Sequence, residues 1–452
     1  MKRNTIISTL CGVALVTSLA ACAGQAQPAE AEQPVAVEQD AKVEDATDTE
    51  VVAEEAPEQT EATTTTVASS GTGILSADDL LTERDLAQTA DLTDATYLTL
   101  ADSQDLSITE EGVYVVSGTA ANATIRVEAD DAAKVQIVLD GVTITNESAP
   151  AIYVISADKV FVTTTDSDNV LSVTGTFVAD GETNLDAVIF SRSDLVLNGV
   201  GTLTVSSTDN GVSSKDDLKV TGGTLVITCA SDALEANDSV VVAGGDIQIT
   251  AQEDGIHAEN EDDATGYVYI CGGTLDIQAG DDAIHGTEVA QVDGGTLTLV
   301  AGECIEATYV QVNGGDISVE ASDDGINASA KSSYSTPTVE INGGTITIVM
   351  GAGDTDAIDS NGYIYVNGGS IDITAQSAFD YELGAELNGG TVTVNGEQVT
   401  AITGAMMGGM GGPMGGGQQG EFGSQPGGGP MGDGEMPSGM GGQGGHMGGP
   451  GN

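Results

Sequence analysis

The sequence predicts an all-β solenoid, and three observations support that prediction. A Gly-Gly pair followed by Thr, Ser or Asp and then an alternating apolar run occurs eight times. Successive pairs are 22, 28, 22, 20, 29, 25 and 21 residues apart, a unit length typical of solenoids built from short strands. Helical periodicity is absent through the same region. The pairs begin at Gly222, Gly244, Gly272, Gly294, Gly314, Gly343, Gly368 and Gly389.

Each Gly-Gly pair is flanked by two predicted strands. Apolar residues stand four and two positions before the first glycine, and three and five positions after it. In the first unit these residues are Leu218, Val220, Leu225 and Ile227. The positions between them are mostly polar, so one face of each strand points inward and the other outward. A parallel β-helix with about three short faces per coil fits this unit, and its coils rise about 4.8 Å each. The longest intervals predict loops near 259–266 and 329–337.

The segment before the solenoid indicates export. Residues 1–21 read as a lipoprotein signal peptide, because Lys2 and Arg3 precede a short apolar stretch that ends in Leu-Ala-Ala-Cys. That ending resembles a bacterial lipobox, so we expect Cys22 to carry a lipid anchor at the outer face of the cell membrane. The alternative is a plain signal peptide that is cleaved nearby. The apolar stretch is too short for a permanent membrane-spanning helix.

Composition divides the rest of the chain into three parts. Residues 22–74 are acidic and poor in aromatic residues, which predicts a disordered tether. Residues 75–403 form the predicted β-helix domain, which is long enough for a large core. Residues 404–452 are a Gly/Met-rich tail; its thioethers and His446 could bind Cu(I), but a flexible tail is the favoured interpretation.

Charge and cysteine content exclude several classes of protein. The chain has 70 acidic and 11 basic residues and a formal net charge of −59, which excludes nucleic acid as a partner. Cys229, Cys271 and Cys304 fall in different columns of the repeat, so no disulfide framework is predicted. We expect a monomer at the cell surface.

A second repeated motif lies about ten residues after each Gly-Gly pair, where an acidic residue precedes a small, an apolar and a polar one. Copies begin at Asp232, Asp254, Asp282, Glu303, Asp324 and Asp356. Stacked in register, these carboxylates lie about 5 Å apart and repel one another. The main cations of the domain fall outside these motifs, so Ca²⁺ is the predicted counter-ion. The candidate ligands are Asp254, Asp262, Asp263, Asp281, Asp282, Glu303, Asp323, Asp324, Asp354 and Asp356.

Two alternatives to a calcium ladder remain open. Asp and Asn also favour turn geometry, so the motif is compatible with a solvated acidic edge. His257 and His285 occupy matching positions of successive coils and suggest zinc, but two imidazoles among many oxygen ligands make that the less favoured interpretation. Both histidines are also candidate sugar-binding residues.

Tyrosines form a further column that is predicted to point outward. Exposed tyrosine rings can stack on sugar rings, although ordinary β-propensity explains the same residues equally well. The chain has no tryptophan, which argues against a wide flat strip for crystalline cellulose. The candidate sugar-binding tyrosines are Tyr267, Tyr269, Tyr309, Tyr363 and Tyr365.

Several segments resemble a family of secreted bacterial carbohydrate-binding β-helix proteins whose fold is similar to that of pectate lyases. They are residues 214–224, the Asp-Asp-(Gly/Ala)-Ile-(His/Asn) motifs, Gly266-Tyr267-Val268-Tyr269-Ile270 and Asp359-Ser360-Asn361-Gly362-Tyr363. The likeness extends from about Thr82 to Thr400. It implies a right-handed parallel β-helix, bound calcium, and binding of cellulosic and pectic polysaccharides of plant cell walls.

The favoured function is therefore non-catalytic, calcium-dependent binding of polysaccharide. A polysaccharide lyase is the first alternative, but it needs a basic residue to remove a proton and neutralise a uronate, and none lies near the candidates from Asp254 to Asp282 in the sequence. A structural or adhesive surface protein without a sugar ligand is the second alternative.

Overall fold

Alternating apolar and polar residues produce short strands that pair from coil to coil. The computed structural model describes residues 73–260, 264–353 and 355–403. Its strand pairings are parallel except for β33 with β34. The single helix is α1 (Ala77–Leu80) within these residues. The strands are β1 (Thr96–Thr99), β2 (Leu106–Ile108), β3 (Gly112–Ala121), β4 (Ile125–Glu128), β5 (Lys134–Asn146), β6 (Ile152–Ser156), β7 (Lys159–Thr164), β8 (Asp168–Val173), β9 (Ala187–Ser191), β10 (Asp194–Gly199), β11 (Thr202–Ser206), β12 (Asn210–Ser214), β13 (Asp217–Val220), β14 (Thr224–Thr228), β15 (Leu234–Ala236), β16 (Ser239–Val242), β17 (Asp246–Thr250), β18 (Ile256–Ala258), β19 (Tyr267–Ile270), β20 (Thr274–Gln278), β21 (Asp282–Val292), β22 (Thr296–Ala301), β23 (Glu303–Val312), β24 (Asp316–Ala321), β25 (Ile326–Ala328), β26 (Thr338–Ile341), β27 (Thr345–Met350), β28 (Asp356–Ser360), β29 (Tyr363–Val366), β30 (Ser370–Thr374), β31 (Ser377–Phe379), β32 (Gly384–Leu387), β33 (Thr391–Val394) and β34 (Glu397–Val399).

Each coil contributes to three faces, as the sequence predicts. Face 1 contains the strands before the Gly-Gly pairs, such as β13, β16 and β19. Face 2 contains the strands after the pairs, such as β14, β17 and β20. Face 3 contains β15, β18, β25 and β28, together with the first halves of β21 and β23. The chain is therefore a parallel β-helix.

The acidic motif leads into a strand of face 3: its apolar and polar residues belong to the strand, whereas Asp232, Asp254 and Asp324 lie just before it. Its apolar residue points into the core, and Ile256, Ile284 and Ile305 are each fully buried. Its polar residue points outward from face 3. Burying one such isoleucine contributes about 1.5–3 kcal/mol, so the motif carries part of the core as well as charge.

The Gly-Gly pair forms the corner between faces 1 and 2. The second glycine of each pair has a positive φ, for example 98° at Gly273 and 83° at Gly369. Its neighbour in the preceding coil lies so close that a Cβ on Gly369 would come within 2.9 Å of the Gly343 carbonyl oxygen. Both the conformation and the stacking distance therefore require glycine.

The long intervals of the repeat correspond to loops, as expected. One connects β18 to β19 and another connects β25 to β26, and both lead from face 3 to face 1. Cys229 and Cys304 are buried, Cys271 is half-buried, and none of these described cysteines forms a disulfide. Within the described ranges, no helix is both long and apolar enough to cross a membrane.

Residues 74–88, called here the N-terminal strap, lie across the outer surface of face 1. The Leu75 N–H donates to Gln291 Oε1 at 2.7 Å, and Lys219 Nζ donates to the Leu80 carbonyl at 2.7 Å. Outward residues beneath the strap are buried, including Val196 and Val241. Face 1 is thus covered in its middle and open toward its C-terminal end.

Candidate functional site

The acidic motif places one carboxylate per coil at the start of each face 3 strand. Asp232 Oδ1 accepts a hydrogen bond from the Asp254 N–H, and Asp254 Oδ1 accepts one from the Asp282 N–H, both at 2.9 Å. The same contact joins Asp324 Oδ1 to the Asp356 N–H at 3.0 Å. One oxygen of each carboxylate therefore ties two coils together, and the second oxygen is available for another partner.

Two histidines occupy equivalent outward positions on adjacent coils. The rings of His257 and His285 lie 4.8 Å apart, centroid to centroid. The Nδ1 atom of His257 is 3.0 Å from Asp232 Oδ2, and that of His285 is 2.8 Å from Asp282 Oδ2. Burial disfavours the charged imidazolium, but the neighbouring carboxylates outweigh it and raise the pKa of His257 to about 9.

Burial also affects the carboxylates around the histidines. It raises the pKa of Asp254 to about 7, and together with Glu306 it raises the pKa of Asp282 to about 8. Burial likewise raises the pKa of Glu303 to about 8, and Glu303 Oε2 accepts a hydrogen bond from Asn327 Nδ2 at 2.9 Å. These groups are therefore sheltered from bulk water.

The stacked acidic motifs and histidines of face 3 form one column, and two lysines lie beside it. The expectation that no basic residue neutralises these carboxylates is wrong. Lys331 Nζ is 2.6 Å from Glu306 Oε2, and Lys215 Nζ is 3.1 Å from Glu235 Oε1. Lys331 reaches the column because the loop after β25 folds back over face 3, where the Ser332 N–H donates to Thr308 Oγ1 at 2.8 Å. The spacing of the repeat does not show over which coil a loop folds.

Carboxylates predominate in the later coils of face 3. Burial and the nearby charges of Asp324, Asp380 and Asp356 raise the pKa of Asp359 to about 7. Burial and neighbouring carboxylates likewise raise the pKa of Asp324 to about 6. In the part of the chain that the structure describes, no lysine or arginine forms an ion pair with Asp324 or Asp359.

The predicted calcium ligands therefore differ in how well they fit the ion. Calcium takes six to eight oxygen ligands. Asp324 and Asp356, with Asp359 and Asp380, offer only oxygen. The outer carboxylates Asp281 and Asp323 are exposed. Asp254 and Asp282 fit poorly, because an oxygen of each faces an imidazole nitrogen, at 3.5 Å for Asp254 and His257 and at 2.8 Å for Asp282 and His285. Asp262, Asp263 and Asp354 lie outside the described residues, as does Cys22.

The tyrosines of face 1 fall into two groups. Tyr363 and Tyr365 form a stacked pair with ring centroids 5.6 Å apart and an interplanar angle of 16°. Both are only partly buried, and Tyr309 nearby donates its hydroxyl to Glu340 Oε2 at 2.9 Å. The amide of Asn367 donates to Glu340 Oε1 at 3.3 Å, so polar groups surround the rings.

The prediction of an exposed ring is wrong for Tyr269. This side chain is 2% exposed, and its hydroxyl donates to Asp293 Oδ2 at 2.8 Å. It points outward as expected but lies beneath the N-terminal strap. Tyr267, two residues earlier, is half-buried. Strand periodicity gives the direction of a side chain and does not reveal a distant segment that covers it.

The chain is similar to proteins of one known family. Residues 102–357 and 307–409 match the model of a family described as "Carbohydrate-binding domain-containing protein". The chain belongs to this family. A relative of the same description from Acetivibrio thermocellus is 39% identical over 123 residues, which are 26% of this chain and 43% of the relative. The match thus spans less than half the length of that curated relative.

One solved structure was also found to be similar. It is described as the polysaccharide lyase-like protein from C. thermocellum, in a gadolinium derivative. It shares 32% sequence identity with this chain, with a TM-score of 0.43 over 49% of this chain and 92% of the other.

Membership of a carbohydrate-binding family directs attention to surfaces that a sugar could reach. Besides the open tyrosine pair, face 3 carries a polar groove of about 380 Å³, lined by Lys215, Glu235, Ala236, Asn237, His257, Glu259 and Asn260. Sequence reasoning did not include Glu235, Glu306, Asp359 or Asp380 among the site residues. Glu235, Glu306 and Asp359 are each the polar residue of the acidic motif in their coil, so the repeat itself could have identified them as site residues.

Proposed function

We propose that this chain binds polysaccharide without cleaving it, at the C-terminal part of the solenoid where faces 3 and 1 meet. Sugar rings would stack on Tyr363 and Tyr365. Calcium held by Asp324, Asp356, Asp359 and Asp380 would bridge to the carboxylates of acidic glycans. The family supports carbohydrate binding as such, and the residues named here are our assignment.

The stacked tyrosine pair is the observation that carries this proposal. Its two rings are nearly parallel, partly exposed, and lie beyond the end of the strap. Glu340 and Asn367 beside them supply acceptors and donors for sugar hydroxyls. An aromatic surface with a polar rim is the usual way for a protein to bind the apolar face of a sugar ring while satisfying its hydroxyl groups.

The second half of the proposal concerns acidic glycans, which calcium would bridge to these carboxylates. Asp359 lies four residues before Tyr363, so the carboxylate group and the tyrosine pair are on adjoining faces, joined by the corner at Asn361 and Gly362. With a net charge of −59, the chain repels a polyuronate unless a cation lies between them. Pectic and cellulosic chains are therefore the two glycan classes that this region suits.

A lyase is the second candidate, because Lys215 lines the same groove as His257. Lys215 is held in an ion pair with Glu235, and the groove is bordered by further carboxylates. These negative charges disfavour the approach of a uronate, which a lyase must bind and neutralise. Binding without cleavage is the better-supported function.

We further propose that the protein acts as a monomer at the cell surface, anchored by a lipid on Cys22. The sequence before Cys22 supports this localisation. Replacing Cys22 with serine should release the protein to the soluble fraction or leave an unprocessed precursor.

Retention on glycan tests the function. Tyr363→Ala with Tyr365→Ala should weaken binding to swollen cellulose about thirtyfold, since each lost stacking contact costs about 1 kcal/mol. The matched control is Tyr97→Ala, because this ring is 70% exposed on β1, at the other end of the solenoid. Equal retention of both variants would place the binding surface elsewhere. Release of unsaturated uronides from pectate, followed by absorbance, would establish the lyase instead.

A further inference from the structure

The histidine pair of face 3 has an arrangement that polysaccharide binding does not require. Asp254 Oδ2 lies between the two rings, 3.5 Å from His257 Nδ1 and 3.8 Å from His285 Nδ1. These three potential ligand atoms all lie within 4.8 Å of one another. The two histidines come from adjacent strands in register, so the solenoid itself sets the separation of their rings.

The spacing and the donor types fit zinc better than calcium. Ligand atoms of a tetrahedral zinc ion with bonds of about 2.0–2.1 Å are about 3.3 Å apart. The two separations from Asp254 Oδ2 need to contract by a few tenths of an ångström, and the separation between the two imidazole nitrogens, which is within 4.8 Å, must reach the same value. Two imidazole nitrogens with one carboxylate oxygen form a ligand set suited to zinc, whereas calcium selects oxygen alone.

Neighbouring carboxylates fix the orientation of both rings. Asp232 Oδ2 and Asp282 Oδ2 lie 3.0 and 2.8 Å from the two Nδ1 atoms and share a proton with each in a hydrogen bond, so zinc binding at Nδ1 releases these protons. On the far side of one ring, His257 Nε2 is buried without a hydrogen bond and lies 3.4 Å from Glu259 Oε2. A carboxylate beside the second ring nitrogen is the common partner of a metal-binding histidine.

A second group of possible ligands, Asp282, His285 and Glu306, shares one imidazole with the first. Lys331 Nζ lies 2.6 Å from Glu306 Oε2 and places a positive charge at that position. Repulsion from this ammonium disfavours a divalent cation there. The group centred on Asp254 is therefore the better site.

We propose that Asp254, His257 and His285 bind one Zn²⁺ ion, with one coordination position left open toward the polar groove of face 3. His257 lines that groove together with Lys215, Glu235, Asn237 and Asn260. Three protein ligands and one open position allow zinc to take an oxygen ligand, either water or a hydroxyl of a bound molecule. The site is separate from the proposed calcium residues and does not depend on the proposed sugar surface.

Metal titration of the full chain tests this assignment. The chain is first stripped of metal with a chelator, then titrated with Zn²⁺ against a chromophoric competitor in the presence and absence of excess Ca²⁺. We expect a zinc ion that excess calcium does not displace. Co²⁺ in the same site should give the strong visible absorption of tetrahedral coordination.

Variants show whether the ion lies at these residues. His257→Gln and His285→Gln should each weaken zinc binding about tenfold or more, and Asp254→Asn should do so as well. His446→Gln tests the chain's third histidine, and Cys271→Ser tests the half-buried thiol. Asp276→Asn removes an exposed carboxylate from face 2. These three controls should leave the affinity unchanged. Thermal melting of every variant without metal separates ligand loss from unfolding.

The proposal would be overturned by any of three results. These are no uptake of zinc by the chain, a zinc affinity that neither His257→Gln nor His285→Gln changes, and displacement of the ion by excess calcium. Should a histidine variant fail to fold, the Co²⁺ spectrum of Asp254→Asn decides instead, because loss of one ligand must change the absorption. An unchanged spectrum in that variant would rule out Asp254 as a ligand.

Discussion

Single residues in this solenoid serve two purposes at once. Asp232, Asp254 and Asp324 each use one oxygen to accept the N–H of the next coil, which leaves the other for a histidine or a cation. An asparagine retains the first contact and removes the charge. Asp→Asn exchanges therefore separate the charge of the column from its structural hydrogen bonds, and Asp→Ala exchanges do not.

Glycines at the Gly-Gly corner are required both by a positive φ and by the close approach of the neighbouring coil, which leads to a prediction. Gly369 has a φ of 83°, and a Cβ there would lie 2.9 Å from the Gly343 carbonyl oxygen. Gly141 has a φ of 69° but nothing within 4 Å of the same position. Gly141→Ala should therefore cost only the conformational term of about 1–2 kcal/mol. Gly369→Ala should cost about 1–3 kcal/mol more, because the coil below must move.

Chemical denaturation of the two variants measures this difference in unfolding free energy. Both changes add one methyl group at a positive φ, so the conformational cost is shared and cancels in the comparison. Equal losses of stability in Gly141→Ala and Gly369→Ala would show that the close approach of the coils contributes nothing.

At the scale of elements, the strands could be predicted from the sequence and the N-terminal strap could not. The strands follow from residues that alternate locally, as in Leu218 to Ile227, so pattern alone reveals them. The strap joins residues far apart in the chain: Leu75 contacts Gln291, and Lys219 contacts the Leu80 carbonyl. Nothing periodic marks such contacts, which is why Tyr269 was expected to be exposed.

The strap should depend on Asp85, whose side chain is fully buried. Its Oδ2 accepts the Thr82 N–H at 2.9 Å, and its Oδ1 lies 3.4 Å from Lys159 Nζ. Burial opposes the charge, but these contacts prevail and hold the pKa of Asp85 below its usual value. Asp85→Ala should cost about 3 kcal/mol, because it leaves buried partners unsatisfied.

Hydrogen exchange shows which part of the chain Asp85→Ala destabilises. Amides of residues 74–88 should lose protection in Asp85→Ala, while the strands of faces 2 and 3 keep theirs. Asp79→Ala is the control, because Asp79 is an exposed carboxylate in the same strap. Retained protection of the strap in Asp85→Ala would mean that the other contacts hold it without this residue.

At the scale of the whole molecule, the repeat gives the order of the site residues but not their partners. Stacking in register placed His257 beside His285 and Asp324 beside Asp356, as the spacing predicts. The loop that brings Lys331 onto Glu306 is an insertion that interrupts the regular spacing, so the repeat does not show where it folds. The column is consequently divided into a part with histidine and lysine and a later part rich in carboxylates.

That division leads to a prediction about calcium, which must be distinguished from a general effect of the chain's net charge. If the later carboxylates bind Ca²⁺ only in the folded state, chelator lowers the stability, by about 2.7 kcal/mol when the ion had been at a hundredfold excess over its Kd. Pectate binding should be lost at the same time, because two polyanions then repel each other. Neutral glucan should remain bound, because stacking on Tyr363 and Tyr365 carries no charge.

Asp324→Asn with Asp359→Asn should reproduce the effects of chelator. The control Asp276→Asn with Asp372→Asn changes the net charge equally at exposed sites of face 2 and should not reproduce them. Melting temperature and pull-down on both glycans, with and without chelator, measure stability, pectate binding and glucan binding. Loss of pectate binding in both double variants would assign the effect to overall charge and refute a calcium site at Asp324 and Asp359.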